Sequence, residues 1–280
     1  MRLSIRHVTT YRYTRPVPYE IQTVRMTPRA YEGLAVLRWT VRGDRARALP
    51  SFIDGLGNLV HTHTVNRTHE SAVIAVAGEV ETRPMGGLVR DARETMPPGY
   101  FLRRTPLTAW DAAVTALAND GAKGPSEFDR LVALLGAVRG RVKLRRGLAS
   151  TETTAAETLA KGSGVCQDHA HLFIAACRAL GIPARFVGGY FWADGVGADH
   201  EASHAWAEAY VGEIGWVGFD PANGTRPDDA YVRVAIGLDY WSAAPARGLR
   251  RGEGEETLAV SVDVAQGERE PTLAAGRQEQ

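Results

Sequence analysis

Gly164-Val165-Cys166-Gln167-Asp168-His169-Ala170-His171-Leu172 decides how the chain folds, because a glycine-bearing turn runs there directly into an apolar helix. The helix is predicted over residues 166–180, and Gly181 and Pro183 terminate it. A thiol therefore stands on the first helical turn. The unpaired N–H groups and the dipole at a helix N-terminus favour the thiolate, which is the form of cysteine that attacks carbonyl groups. Cys166 is the candidate nucleophile.

The second cysteine, Cys177, lies in the same predicted helix. At ~1.5 Å per residue the two thiols are ~16 Å apart along the helix axis. A disulfide needs Cα atoms within ~7 Å, so the two cannot pair within the chain. Cys177 is in line with Phe173 and Ile174 and is interpreted as a small buried apolar residue. We expect two free thiols, as a reducing compartment allows.

A thiolate nucleophile needs a histidine that shares its proton and an acidic side chain that orients that histidine. His204 is the candidate base. It stands in Ser203-His204-Ala205-Trp206-Ala207-Glu208-Ala209-Tyr210, where alternation predicts a strand with His204 and larger side chains on one face and alanines on the other. A polar face beside a face of small residues is typical of a wall of a site.

Asp220 is the candidate acid. It ends the next predicted strand, Gly215-Trp216-Val217-Gly218-Phe219-Asp220, and Pro221 stops the strand there. A hairpin over residues 212–215 places this strand beside the strand of His204. We therefore expect the carboxylate of Asp220 to reach the imidazole of His204.

The remaining sequence predicts an α+β protein. Alternating residues predict antiparallel strands in the first ~85 residues, and helical spacing follows. The predicted helices cover 108–118, 126–138 and a short stretch opened by the capping box Thr154-Ala155-Ala156-Glu157. Four units are predicted: a small β domain over 1–95, a catalytic core over 96–245, a C-terminal strand over 246–264 that completes the fold, and a disordered polar tail over 265–280.

Four stretches resemble the bacterial transglutaminase-like, or transglutaminase-like cysteine peptidase, family: Gly164 to Leu172 as quoted above, Arg178-Ala179-Leu180-Gly181-Ile182-Pro183-Ala184-Arg185-Phe186-Val187-Gly188-Gly189-Tyr190, Ser203-His204-Ala205-Trp206-Ala207-Glu208, and Gly215-Trp216-Val217-Gly218-Phe219-Asp220-Pro221-Ala222-Asn223-Gly224. Thr10-Tyr11-Arg12-Tyr13 and Asp54-Gly55-Leu56-Gly57-Asn58 are similar to the β domain that precedes this core in many members. The resemblance covers nearly the whole chain before the tail. It implies a papain-like α+β core, with the nucleophile helix packed on an antiparallel sheet, and it places the family's nucleophile, base and acid on Cys166, His204 and Asp220.

The resemblance implies that Cys166 attacks an amide or ester carbonyl and forms a thioester. With water as the acceptor the chain would be a peptidase or amidase acting on peptide-like substrates, which is the favoured interpretation. With an amine as the acceptor it would be a protein-glutamine gamma-glutamyltransferase, or transglutaminase. Two other classes remain as alternatives, a non-catalytic binding module and a metalloprotein. Substrate-binding roles are predicted for Gln167, Asp168, Trp206 and Tyr190, and Asp168 is predicted alternatively to cap the helix start.

Composition and charge exclude several partners. The net charge of +1 and the pI of about 7.9 provide no field that would attract nucleic acid or an anionic membrane. The first residues have no apolar signal region, and no stretch approaches the ~18 apolar residues of a membrane span, so we expect a cytoplasmic protein.

No cofactor and no metal are expected. His169 and His171 stand near Cys166, but i, i+2 neighbours on a helix point to different faces. A loop over 193–201 is predicted to be a mobile flap over the cleft. It contains His200, a weaker candidate for the base than His204 because a loop lacks the rigid placement of a strand.

Overall fold

The computed structural model describes residues 1–44, 49–145, 147, 152–193, 203–212 and 214–267. Its helices are α1 Ala112–Gly121, α2 Glu127–Arg141, α3 Ala155–Lys161, α4 Cys166–Ala179 and α5 Tyr240–Ala243, with a 3-10 helix at Pro98–Leu102. Its strands are β1 Arg2–Val17, β2 Tyr19–Thr27, β3 Leu34–Arg42, β4 Ser51–Ile53, β5 Leu59–Val65, β6 His69–Thr82, β7 Leu88–Val89, β8 Lys143–Leu144, β9 Ser163–Gly164, β10 Ala184–Phe191, β11 Ser203–Val211, β12 Gly215–Phe219, β13 Tyr231–Gly237, β14 Ala246–Arg251 and β15 Glu256–Gln266.

Three antiparallel sheets hold most of these strands. Two of them form the β region, with the strand orders β15-β1-β6-β3 and β14-β2-β5-β4. The third has the order β13-β10-β11-β12-β7 and is the sheet of the core. Helices pack on that sheet, which confirms the predicted α+β class.

The centre of the core is α4, where every residue from Asp168 to Arg178 is buried. Its predicted bounds are confirmed to within one residue, since Leu180 caps the helix and Gly181 follows with a φ of 76°. The alanine face of β11 lies against this helix: Ala205, Ala207 and Ala209 are at most 3% exposed and belong to the same apolar cluster as the helix residues. Small side chains allow the helix and the sheet to approach closely.

The three preceding helices begin at capping side chains. Thr154 accepts from the N–H of Glu157, and Glu157 accepts from the N–H of Thr154, which confirms the predicted capping box. The first predicted helix is shorter at its start than expected. It begins at Ala112 because the carboxylate of Asp111 accepts from the N–H of Val114, whereas Thr108 is buried in the preceding turn, where its hydroxyl accepts from the guanidinium of Arg178.

The C-terminal segment differs from the prediction. Residues 246–264 were expected to contain one strand, and they contain β14 and most of β15. β14 pairs with β2, and β15 pairs with β1 over eleven residue pairs, so both strands extend the sheets of the β region. Ala265 and Gln266 belong to β15 instead of a tail, and residues 268–280 lie outside the described residues. Conversely, β7 falls within residues 1–95 but pairs with β12 of the core sheet.

Candidate active site

Cys166 is the first residue of α4 and is partly exposed. The helix starts here because Asp168 Oδ2 accepts the N–H of Val165 at 2.9 Å, which satisfies a backbone donor that the helix leaves unpaired. This contact supports the capping role for Asp168. The side chain of Asp168 is 7% exposed and does not line the cleft that contains the thiol.

His204 and Asp220 are held together by two neighbouring strands. β11 and β12 pair from Ala207 with Phe219 to Val211 with Gly215, so the end of β12 lies beside the start of β11. The N–H at His204 Nε2 donates to Asp220 Oδ2 at 2.7 Å. The thiol of Cys166 lies close enough to the imidazole to raise its pKa, and both side chains line one cleft. The structure therefore brings the three predicted triad residues together, with Nδ1 as the ring nitrogen left for the thiol.

Four further donors fix the carboxylate of Asp220. Oδ1 accepts from the backbone N–H groups of Ala222 and Asn223 at 3.0 and 3.2 Å. Oδ2 accepts from the side-chain amide of Asn223 at 2.7 Å and from the hydroxyl of Tyr231 at 2.8 Å. Burial alone would raise the pKa of Asp220, but the hydrogen bonds and charge of His204 and the bonds from Tyr231 and Asn223 outweigh it and lower the pKa. Asp220 is therefore ionised although its side chain is 0% exposed.

The imidazole of His204 is tuned by opposing effects. Burial lowers its pKa, while Asp220 and Cys166 raise it through hydrogen bonds and charge, and the net pKa is raised to about 10. Three aromatic rings surround it: Trp206 stacks on it at 6.2 Å between centroids, Phe191 lies at 5.5 Å and Tyr231 at 6.0 Å. The site thus stabilises an imidazolium and holds its ring orientation.

Sequence reasoning missed Asn223 and Tyr231. Asn223 carried a local signal, since an asparagine three residues after a strand-end aspartate is typical of a turn in which the two side chains bond. Tyr231 begins β13, which pairs with β10 and not with the strand of Asp220, so its contact with Asp220 depends on the order of strands in the sheet.

A cleft of about 220 Å³ contains Cys166 and His204. Gln167 lines it, and its substrate-binding role stays a prediction. The opposite side comes from the β region, which contributes His7, Thr9, Tyr11, Met26, Ala246, Leu258 and Val260. Their alternate spacing in β1 was a usable signal for a shared face, although it could not identify the surface that the face contacts.

Two residues predicted to bind substrate lie behind the cleft. Tyr190 is 3% exposed, and its hydroxyl bonds Nδ1 of His7 at 3.0 Å, so it supports a residue that lines the cleft. Trp206 is 2% exposed and packs on His204. Neither side chain lines the cleft, and their positions suit orientation of His7 and His204 instead of substrate contact.

The polar face of β11 is a wall of the site only at His204. Beyond Trp206, the carboxylate of Glu208 is buried between two arginines, with Oε2 at 2.6 Å from Arg185 Nε and Oε1 at 2.7 Å from Arg233 Nε. Burial would raise the pKa of Glu208, but the two guanidinium groups lower it to about 2. The prediction of an open polar face was wrong here, because alternation shows which residues share a face and not whether a second layer covers it.

The helix histidines point to separate partners. His169 has Nδ1 at 2.8 Å from the carbonyl of Val165 and Nε2 at 3.0 Å from the carbonyl of Val142. His171 accepts the N–H of Tyr240 on Nε2 at 3.1 Å. Within the described ranges, no group of three or more His, Cys, Asp or Glu side chains is arranged to hold a metal ion. Residues 194–201 of the predicted flap, which include His200, lie outside the described residues.

Two family models match the chain. The model described as the transglutaminase-like superfamily matches residues 115–221, which contain Cys166, His204 and Asp220. The model described as the bacterial transglutaminase-like N-terminal region matches residues 3–81. This chain belongs to the transglutaminase-like superfamily. The resemblance that the sequence motifs indicated is thereby confirmed, both for the core and for the β region before it.

Proteins from several bacteria match along most of the chain. An uncharacterized protein of Mycobacterium leprae is 29% identical over 280 residues, covering 94% of this chain and 98% of that protein. An uncharacterized protein of Mycobacterium tuberculosis H37Rv is 29% identical over 301 residues, covering 94% and 92%. The crystal structure of a "Putative Cysteine Protease" from Cytophaga hutchinsonii superposes with a TM-score of 0.74 and 22% identity, covering 97% of this chain and 93% of that one. This likeness shows that the two chains share one fold, in both the core and the β region. Among the described helices, none is long and apolar enough to cross a membrane.

Proposed function

We propose that this transglutaminase-like chain is a cysteine-nucleophile hydrolase that cleaves amide bonds of peptides or peptide-like metabolites through a thioester. One observation carries the proposal: His204 is bound to Asp220 Oδ2 at 2.7 Å and shares a cleft with the thiol of Cys166, which stands at a helix start and raises the pKa of the imidazole. A nucleophile, a base and an orienting acid in one hydrogen-bonded chain are the requirements for acyl transfer.

Each residue has a distinct role in the proposed reaction. The thiolate of Cys166 attacks the carbonyl carbon, and the imidazolium of His204 gives its proton to the leaving amine as the C–N bond breaks. The neutral imidazole then takes a proton from water, whose oxygen attacks the thioester and releases the acid and the thiolate. Asp220 holds Nε2 throughout, so that Nδ1 faces the reacting atoms. The N–H of Cys166 has no acceptor within the helix and can bind the developing oxyanion.

A primary amine is the alternative acceptor, and the same three residues would serve transamidation. The two reactions differ in their products and therefore can be separated directly. We would incubate the protein with a diverse peptide library, with and without an added primary amine, and analyse the products by mass spectrometry. Cleavage with a gain of water supports hydrolysis, whereas incorporation of the amine supports transfer.

The matched controls are Cys166→Ala and Cys177→Ser, which each remove one of the two thiols. The proposal requires that only the first variant loses product formation. If peptides bind to the wild-type protein but no covalent product appears under either condition, the chain is a binding module and the proposal is wrong.

A further inference from the structure

The cleft contains two exposed apolar side chains next to the nucleophile. Leu258 and Val260 of β15 are 57% and 51% exposed, and both line the cleft that contains Cys166. Leu258 pairs with Tyr11 of β1, and Val260 pairs with Thr9. Because Leu258 and Val260 are two positions apart on one strand, their side chains lie on the same face of the sheet. Exposed apolar residues that are scattered singly need no explanation, but two on one face of an active-site cleft indicate a contact surface.

The floor of this surface is apolar as well. Met26 is 2% exposed, and Phe186 and Ala243 are also buried where they line the cleft. Since these residues come from β2, β10 and α5, the apolar lining joins the β region to the core. A substrate that lies over Cys166 must therefore contact both regions.

Apart from the Cys166–His204 pair, the described part of the cleft is lined by uncharged residues. No Asp, Glu, Lys or Arg among the described residues lines it. Its titratable residue on the β side is His7, which bonds Tyr190 through Nδ1 and Thr9 through Nε2, both at 3.0 Å. Burial lowers the pKa of His7 to about 4, so the ring is neutral near pH 7. Away from the Cys166–His204 pair, a charged substrate group would lose hydration here without gaining an opposite charge.

The volume limits how much of a substrate enters. At about 220 Å³ the cleft lies below the ~300–1,000 Å³ of pockets that enclose drug-sized ligands. It can therefore accept a short segment, such as one side chain with its neighbouring backbone. The occupant is part of an extended or flexible acyl donor and not a large rigid group.

We propose that Leu258 and Val260 select acyl donors that carry an apolar, uncharged side chain next to the reactive carbonyl. The inference rests on the proposed function, because it treats Cys166 as the nucleophile. Substrate binding covers the two exposed side chains, and burial of apolar surface supplies the selectivity. Discrimination in apolar pockets is about 10- to 200-fold for a small group.

The test uses three peptidyl chloromethyl ketones that differ only in one residue. That residue, next to the reactive carbon, is Leu, Glu or Lys. In the labelling step the Cys166 thiolate forms a C–S bond and chloride leaves, so no turnover is needed. Intact-mass spectrometry gives the labelling rate, and peptide mapping confirms the labelled residue. We expect the Leu reagent to react about 10- to 200-fold faster than the Glu or Lys reagent.

Charge substitutions test the residues themselves. Leu258→Lys and Val260→Lys should each reduce the preference for the Leu reagent and favour the Glu reagent. The matched control is Leu249→Lys on β14, since Leu249 is 61% exposed but does not line the cleft. That variant should keep the wild-type order of rates.

Iodoacetamide, which has no side chain to select, separates the two levels of failure. The inference is wrong if iodoacetamide labels Cys166 in every variant while the three ketones react at equal rates. It is also wrong if Leu249→Lys changes the preference as much as Leu258→Lys. In both cases Cys166 remains the proposed nucleophile. If neither iodoacetamide nor any ketone labels Cys166 in the wild-type protein, the proposed function itself is wrong.

Discussion

The hydroxyl of Tyr231 donates to the same carboxylate oxygen of Asp220 that binds His204, at 2.8 and 2.7 Å respectively. With the side-chain amide of Asn223, this oxygen has three donors, which fix the direction in which the carboxylate points. β13 carries Tyr231 and β12 leads into Asp220, so this contact links two strands that β10 and β11 separate in the core sheet. Tyr231 does not line the cleft and acts through Asp220 as a positioning residue.

Tyr231→Phe removes this donor while keeping the ring. A hydrogen bond to a charged group contributes about 1.5–3 kcal/mol, so we expect a loss in kcat of roughly one to two decades with little change in KM. The acid side of the pH profile should also move to higher pH, since the hydroxyl helps to lower the pKa of Asp220. Tyr210→Phe is the control, because Tyr210 lies on β11 against Trp216, away from Asp220. An unchanged pH profile in Tyr231→Phe would contradict a positioning role.

Asp220→Asn tests what keeps His204 protonated. Asp220 and Cys166 raise the pKa of His204 against the effect of burial, which lowers it. The imidazolium is present below the folded pKa and is lost as pH rises through it. Without the carboxylate the pKa falls, so the basic limb of kcat/KM should move to lower pH, and kcat should fall by several decades. If the basic limb of kcat/KM in Asp220→Asn stays at the wild-type pH, that limb arises from the titration of a group other than His204.

Two neighbouring glycines of β10 predict opposite outcomes. A Cβ at Gly188 would lie 3.8 Å from the nearest atom, the carbonyl of Ala243, and would project into the cleft. A Cβ at Gly189 would come within 2.1 Å of the carbonyl oxygen of Val232. We expect Gly188→Ala to keep the wild-type urea midpoint of unfolding and to have a raised KM. We expect Gly189→Ala to unfold at a lower urea concentration than the wild-type protein. A destabilised Gly188→Ala variant would contradict the open space at that position.

The buried ion pairs of Glu208 predict how stability depends on pH. The pKa of this carboxylate is lowered from 4.5 to about 2, so its stabilising effect is full above pH 4.5 and is lost as pH falls towards 2. Glu208→Gln removes the counter-charge of Arg233 and leaves Arg185 with Glu94 as its remaining partner, so the free energy of unfolding should fall by about 3–5 kcal/mol at pH 7. Urea unfolding at pH 7 and pH 3 measures both effects. Glu81→Gln, on an exposed pair with Arg83, should leave unfolding unchanged.

The triad could be predicted from the sequence because each part has a local signal. A turn leading into a helix places Cys166, alternation places His204 on a strand, and a short hairpin brings Asp220 beside it. The capped helix starts at Ser126 and Thr154 were predicted for the same reason, since a cap depends on residues within one turn.

Contacts between distant segments could not be predicted in this way. The pattern of β15 indicates a strand, but not that its partner is β1, some 250 residues earlier in the chain. The β side of the cleft, including His7 and Leu258, depends on that pairing. The burial of Trp206 and Glu208 likewise depends on Arg185, Arg233 and Tyr231, which approach from other strands.

The two thiols give the most direct test of the site. Cys177 is 0% exposed, and burial raises the pKa of its thiol, whereas Cys166 is partly exposed and shares a cleft with His204. Iodoacetamide should therefore label Cys166 first and abolish activity, because the thiolate is the reactive form. His204→Ala should slow this labelling, since the charged partner of the thiolate is lost. Peptide mapping at successive times measures both rates.

Cys177→Ser is the matched control for these measurements. A hydroxyl in an apolar row should lower the free energy of unfolding by about 1–3 kcal/mol if it finds no partner, with the chemistry retained. The variant should thus keep the labelling rate of Cys166 and the activity. Equal labelling of the two cysteines in the folded wild-type protein, or an active Cys166→Ala variant, would mean that the thiol at the start of α4 is not the nucleophile.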